Sequence, residues 1–262
     1  MPGDGGLVLG IDAAWTPHGS SGVALIERRC GRWWLARLAS SYAEFCGEAS
    51  ADLASVLAHC RQSFNRSPDV VAIDMPLSLR AIVARRVADD EVSRRFGAVG
   101  CSTHTPNPHR PGPLADATLR AATDMGYQLR VARAGDARPA GAALIEVYPH
   151  VALLALCEAR YRLPYKAQKT RSYWPYAVAA QRRALVAAEQ ARIAKALSGH
   201  IGELPALLVP VDPASFAALK PVEDMIDALV CAWMGAEFLD NRATPLGDVH
   251  SAIWVPAYGL PC

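Results

Sequence analysis

Several signatures that assign a function quickly are missing from this chain. Its 262 residues carry a formal net charge of only +2, so no strong global field draws it to nucleic acid, and any attraction must come from a local basic face. Nowhere does it run through the roughly 18 uncharged apolar residues that a membrane span requires. Its start, MPGDGGLVLGID, lacks a basic region followed by a long apolar run, so no signal peptide is expected. The seven cysteines (30, 46, 60, 101, 157, 231 and 262) are scattered and form no CxxC pair and no zinc ladder. Internal repeats and low-complexity tracts are absent. These absences argue against a membrane protein, a disulfide scaffold and a zinc module. They lead to the expectation of a soluble cytoplasmic protein in a reducing compartment. The 52 % hydrophobic content can fill a sizeable core. The length suits one domain carrying a substantial insertion.

What is present reads as an α/β pattern with a mixed sheet. Short apolar runs at Leu7–Ile11, Gly22–Glu27, Trp33–Ala39, Asp69–Ile73 and Leu144–Tyr148 predict strands. Gly31 marks a hairpin turn between the second and third. Helical spacing covers Ala49–Cys60, Leu79–Phe96, Leu114–Met125, Val151–Arg160 and Ala177–Leu197. A last helix is expected from Pro221, as a first-turn residue, to about Leu239, and His250–Val255 is expected as an edge strand. Residues 199–213 read as loop. Residues 77–140, rich in arginine and then in Gly, Pro, Ser, Thr and His, read as a helical and loop insertion over a site.

Five acids stand out against this background. Asp12 and Asp74 each follow a buried strand, Glu146 lies inside one, and Asp224 and Asp227 sit three apart on the apolar last helix. Carboxylates are rarely buried without a partner. Structural explanations exist for each. Asp12 and Asp74 suit turns or caps, Glu223 and Asp224 suit a helix N-terminus, and Glu146 suits an edge or an arginine partner. Asp227 is harder to explain as a cap. It shares one helix stripe with Asp224, Ala228, Cys231 and Gly235, small enough for close approach to a sheet. Parallel strands deliver their ends to one sheet edge, where sites usually lie. Carboxylates gathered there would repel one another without a cation. Mg²⁺ or Mn²⁺, as one ion or two, takes such hard oxygens and supports phosphodiester hydrolysis. A basic, aromatic stretch adds a candidate nucleic-acid contact: Lys166, Lys169 and Arg171 for phosphates, interleaved with Tyr165, Tyr173 and Trp174 for bases. A solvated basic turn is the plainer alternative.

Four motifs then carry a family resemblance. They are Gly10-Ile11-Asp12-Ala13-Ala14-Trp15 with Ser21-Gly22-Val23-Ala24; Ala72-Ile73-Asp74-Met75-Pro76-Leu77 leading to Arg86, Ala88, Asp89 and Arg94; Glu146-Val147-Tyr148-Pro149; and Asp224-Met225-Ile226-Asp227-Ala228 with Ile253-Trp254-Val255-Pro256. In order and nearly end to end, they resemble the domain of unknown function 429 family, described as predicted nucleases of ribonuclease-H-like fold. The resemblance implies a mixed five-stranded central sheet flanked by helices. It implies metal binding by Asp12, Asp74, Asp224 and Asp227, with Glu146 in a catalytic role. It implies a metal-dependent nuclease acting on DNA or RNA. Under that reading Arg86 and Arg94 face a phosphate or brace the acids, and Ser102, Thr103 or His104 touches substrate. A non-catalytic nucleic-acid-binding or protein-interaction module and a nucleotide-dependent phosphotransferase are the alternatives. Glycine-rich phosphate loops are not evident, which weakens the latter. A nucleophile built on Cys101 and a histidine has no orienting geometry in the sequence.

Overall fold

The computed structural model describes residues 5–16, 19–132, 141–205, 208 and 214–261. It opens with β1 (Leu7–Asp12), β2 (Gly22–Arg29) and β3 (Arg32–Ala39). The β2–β3 turn sets Cys30 at φ 50° and Gly31 at φ 75°. Two left-handed residues in a two-residue loop match the twist of a hairpin. Helices α1 (Tyr42–Cys46) and α2 (Leu53–Phe64) lead to β4 (Val70–Ile73). Helices α3 (Val87–Phe96) and α4 (Pro113–Asp124), then β5 (Gln128–Leu129), precede β6 (Ala143–Val147). Next come α5 (Pro149–Leu156), α6 (Thr170–Tyr173), α7 (Ala179–Ser198) and β7 (Ile201–Gly202). The long α8 (Phe216–Leu239) is followed by β8 (Ala243–Gly247) and β9 (Ala252–Pro256).

The strands form one mixed sheet in the order β7-β3-β2-β1-β4-β6-β9-β8, with β5 also paired to β6. Strand β2 runs antiparallel to β1 and β3, while β1, β4, β6 and β9 run parallel. Helices cover both faces, so the central strands are apolar on both sides. Val8, Ala24, Ile26, Ala72 and Ile145 face a core shared with α5, α7 and α8. Their neighbours Leu9, Ile11, Val23, Leu25 and Ile73 face α1, α2 and α4. No described helix is long and apolar enough to cross a membrane. The six described cysteines are free.

The α/β class and mixed sheet agree with the sequence reading, and several boundaries do not. The sheet has nine strands among the described residues, where five were expected. Strand β8 contains Pro245 and Gly247, which mask it in sequence, and it places β9 inside the sheet rather than at an edge. Helix α3 begins at Val87, not Leu79, because the Asp89 carboxylate accepts from the Arg86 backbone N–H at 3.0 Å and caps the helix there. Helix α2 starts at an Asp52 cap that accepts from Ser55 N at 2.9 Å. Helix α5 runs from Pro149 only to Leu156. Helix α8 starts at Phe216, where Ser215 Oγ accepts from Ala218 N at 3.1 Å. Pro221 therefore lies inside the helix, and Glu223 and Asp224 lie beyond its first turn. Their attraction to the helix N-terminus, offered above as a structural explanation, does not hold. Part of the 199–213 loop and the end of the 77–140 segment lie outside the described residues.

Helix α8 rests on the sheet through glycines. A Cβ on Gly10 would stand 2.2 Å from Ala228 O and 2.3 Å from Ala232 N. One on Gly22 would stand 2.1 Å from Asp224 O, and one on Gly235 would stand 2.4 Å from Val8 Cγ1. Backbone cannot yield as a flexible side chain can. Gly10→Ala is therefore expected to destabilise the fold by about 1–3 kcal/mol or more, read from urea denaturation. An unchanged midpoint would contradict this packing.

Candidate functional site

The parallel register of β1 and β4 delivers two acids to one sheet edge. Asp12 is the last residue of β1 and pairs with Gly22. Asp74 directly follows β4, and its N–H donates to Ile11 O at 2.9 Å. Helix α8 crosses the same edge and adds Asp224 and Asp227, both buried. Asp12 and Asp224 share a side-chain hydrogen bond. Burial is the largest cause pushing Asp12 up, to about 7; Lys166 opposes the shift and Asp224 adds to it. Asp74 is raised well above the usual carboxylate range by burial and by Asp12. Asp227 is pushed up to about 6 by burial, against the pull of Lys166.

Two lysines reach into this acidic floor. Lys166 Nζ bonds Asp227 and lies 3.4 Å from Glu223. Lys220 Nζ bonds Asp224 and lies 3.1 Å from Glu223. Tyr165 hydroxyl donates to Asp227 Oδ1 at 2.5 Å, and Ala167 N donates to Glu223 Oε2 at 2.7 Å. Burial alone would lower Lys166, but Asp227, Tyr165, Asp12 and Glu223 together hold it well above its ordinary value. The four-aspartate metal site expected from sequence is not preformed. Among the described residues no three His, Cys, Asp or Glu side chains are arranged to hold a metal ion. Asp224 and Asp227 are each engaged by a lysine instead.

Glu146 belongs to a separate buried unit. Arg86 Nη1 and Nη2 donate to its two oxygens at 2.6 and 2.7 Å. On its other side Arg86 donates to Asp89 through Nε at 2.9 Å and Nη2 at 3.0 Å. Leu77 N also donates to Glu146 at 2.9 Å, and Leu77 O accepts from Arg86 at 2.8 Å. Arg86 is thus consumed as a brace between β6, α3 and the loop after β4, and it is not free to hold a phosphate. Such bidentate pairs fix geometry as well as charge.

These acids border a cavity of about 280 Å³ whose lining includes Asp12, Asp74, Asp89, Glu146 and Glu223 together with Arg110, Arg162, Lys166 and Lys169. Thr103, His104, Tyr148, His150 and Trp15 complete much of the wall. Trp15 meets the His104 ring edge-on at 6.5 Å, and Arg110 sits over the Trp15 ring at 5.8 Å. Burial, then Lys169, Arg110 and Arg162, hold the His104 pKa below its ordinary value. Burial and then Arg162 and Lys166 lower Lys169.

Of the residues expected from sequence, Asp12, Asp74, Glu146, Thr103, His104, Lys166 and Lys169 line this cavity, and Asp224 and Asp227 lie with its floor. Arg94, Ser102 and Arg171 are exposed and do not line it. Tyr165 is fully buried and spends its hydroxyl on Asp227, so it does not stack on bases. Cys101 is not paired with an imidazole. Its thiol donates to the His150 backbone oxygen at 3.4 Å, and burial pushes it up to about 11, far from a reactive thiolate. Sequence reasoning did not assign Arg110, Arg162, His150, Trp15, Glu223 or Lys220 to the site. Only Arg162 and Trp15 carried a signal, the first within the basic stretch and the second beside Asp12.

Two stability measurements follow from this charge arrangement. Unfolded, Asp12 titrates near 3.9; folded, it titrates at about 7. Between those values the native state keeps a proton that the unfolded chain has lost, so its contribution to stability falls as pH rises. Asp12→Asn should therefore be more stable than the parent at pH ~8 in EDTA, with the difference closing towards pH ~4, in thermal denaturation. A variant less stable at the higher pH would contradict the burial of a charged Asp12. Arg86→Met leaves Glu146 and Asp89 buried without their cation. It should cost about 3–5 kcal/mol, whereas Arg94→Met on the exposed face should stay within ~0.5 kcal/mol, both by urea titration.

No curated protein and no solved structure matches the chain. A family profile does match, over residues 10–251, a span that takes in Asp12, Asp74, Glu146, Asp224 and Asp227. The chain therefore belongs to the family described as protein of unknown function (DUF429).

Proposed function

We propose that the protein is a metal-dependent hydrolase of phosphodiester bonds, acting on nucleic acid through a ribonuclease-H-like core. One observation carries the reading: a single cavity is lined both by carboxylates and by three cations, Arg110, Arg162 and Lys169, that have no acidic partner among the described residues. The cations attract a phosphate that the carboxylates repel. A divalent cation held by the acids would reconcile the two. The floor chemistry fits such an ion at Asp12 and Asp74, which offer hard carboxylate oxygens. Among the described residues the Asp74 carboxylate has no hydrogen-bond donor of its own. When bound, a divalent ion would neutralise the floor and acidify water for attack on phosphorus. The chain's own residues do the rest. Arg162 and Lys169 orient the phosphate, while Lys166 and Lys220 hold Asp227 and Asp224 in place. The fold assignment is supported by the five central strands β3-β2-β1-β4-β6, in which β2 alone is antiparallel.

A second reading has an observation of its own. Lysine engagement of Asp224 and Asp227 favours a nucleic-acid-binding module of the same fold without turnover. Labelled single-stranded, duplex and branched strands, incubated with Mg²⁺ or Mn²⁺, separate the two. Hydrolysis is expected, stopped by EDTA and reduced ~100-fold, or about 2.7 kcal/mol, in folded Asp12→Asn and Asp74→Asn. Binding without cleavage under all these conditions would select the module, and neither binding nor cleavage would sink both readings.

A further inference from the structure

Arg110, Arg162 and Lys169 all face the cavity, and none has a carboxylate within ion-pair distance among the described residues. Arg162 is held most firmly. Its backbone N–H donates to Val99 O at 2.9 Å, its Nη2 donates to His150 Nε2 at 2.6 Å, and its Nη1 reaches Gly100 O at 3.4 Å. Guanidinium never accepts a hydrogen bond. His150 Nε2 is therefore the bare acceptor, and the imidazole is neutral with its proton on Nδ1. Burial and the neighbouring cations, Arg162 first, agree by holding His150 well below its ordinary pKa. Both His150 Nδ1 and Arg162 Nε are buried without a partner. Unfilled donors on a fixed cation are costly unless an acceptor arrives.

The charge count discriminates between substrates. An internal phosphodiester carries one negative charge, whereas a terminal phosphate carries about 1.5–2 and three free oxygens. Three unpaired cations match the second better. The cavity, at about 280 Å³, falls just below the roughly 300–1,000 Å³ usual for ligand sites, which suits a chain end more than a strand continuing in both directions. We propose that Arg162, positioned by His150, forms with Lys169 a subsite for a terminal phosphate, so that the substrate is a phosphorylated strand end. This rests on the hydrolase reading for the identity of the strand, but not for the phosphate.

The test is calorimetric binding in EDTA, where turnover is held off. The probes are short oligothymidylates ending in a 5′-phosphate, a 3′-phosphate or hydroxyls only, with inorganic phosphate alongside. One phosphorylated form should bind at least ~10-fold tighter than the hydroxyl form, about 1.4 kcal/mol. Arg162→Met should bring the phosphorylated form to within roughly threefold of the hydroxyl form, a remaining difference well under 1 kcal/mol. His150→Gln, whose amide oxygen can still accept from Arg162, should retain the preference that His150→Phe loses. Equal affinity for all three strands, or a preference untouched by Arg162→Met, would overturn the subsite. Cleavage that ignores the strand end would also overturn it while leaving the hydrolase reading intact. Arg162-dependent phosphate binding with no cleavage of any strand would retire the hydrolase reading and keep the subsite.

Discussion

Helix α8 can lie against β1 and β2 only because Gly10 and Gly22 carry no side chains where its backbone touches the sheet. That contact sets the position of Asp224 and Asp227 relative to Asp12. The carbonyl of Asp224 itself sits over Gly22, the register partner of Asp12. A helix riding a few tenths of an ångström higher on a methyl group would separate the acids from the strand end they meet. The glycines thus act on the site through packing alone, and the gathered carboxylates are a consequence of how closely helix and sheet approach.

Bringing like charges together in an apolar interior carries an electrostatic penalty, and the chain meets it in two different ways. Glu146 and Asp89 share Arg86, which forms hydrogen bonds with both and ties three segments together, although burial still pushes Glu146 up to about 7. That unit is a brace. The floor beside it is neutralised only in part. Lys166 and Lys220 attend Asp227, Asp224 and Glu223, while Asp12 and Asp74 keep raised pKa values and no cation of their own. Perturbation of this kind, left uncorrected within a cavity, is a common mark of a functional site. The contrast between the satisfied triad and the unsatisfied floor separates support from chemistry among acids that look alike in sequence.

Much of this was legible in the residues. Apolar runs located β1, β2, β3, β4 and β6, and strand-end position picked out Asp12 and Asp74. The small-residue stripe of α8 correctly announced close contact with the sheet. Other features depended on tertiary partners that no local pattern encodes. Glu146 lines the cavity, yet both its oxygens are held by Arg86, sixty residues earlier. Tyr165 read as a base-stacking ring and instead turns inward to Asp227, while Lys166 lines the cavity and also bonds that carboxylate. Pro221 read as a helix start, but the Ser215 cap six residues earlier outweighs it. Arg110 was silent because an arginine in a loop becomes part of a site only through what the fold sets around it.

The proposed function turns on Asp12 and Asp74, which would together hold a divalent cation and so offset the charge of the acidic lining. Crystals soaked in millimolar Mn²⁺ and measured at a wavelength where manganese scatters anomalously would test it directly. A peak within bonding distance of both carboxylates, with Lys166 still on Asp227, is the predicted result. An absence of any peak at that position, in crystals where the cavity is open to solvent, would contradict it.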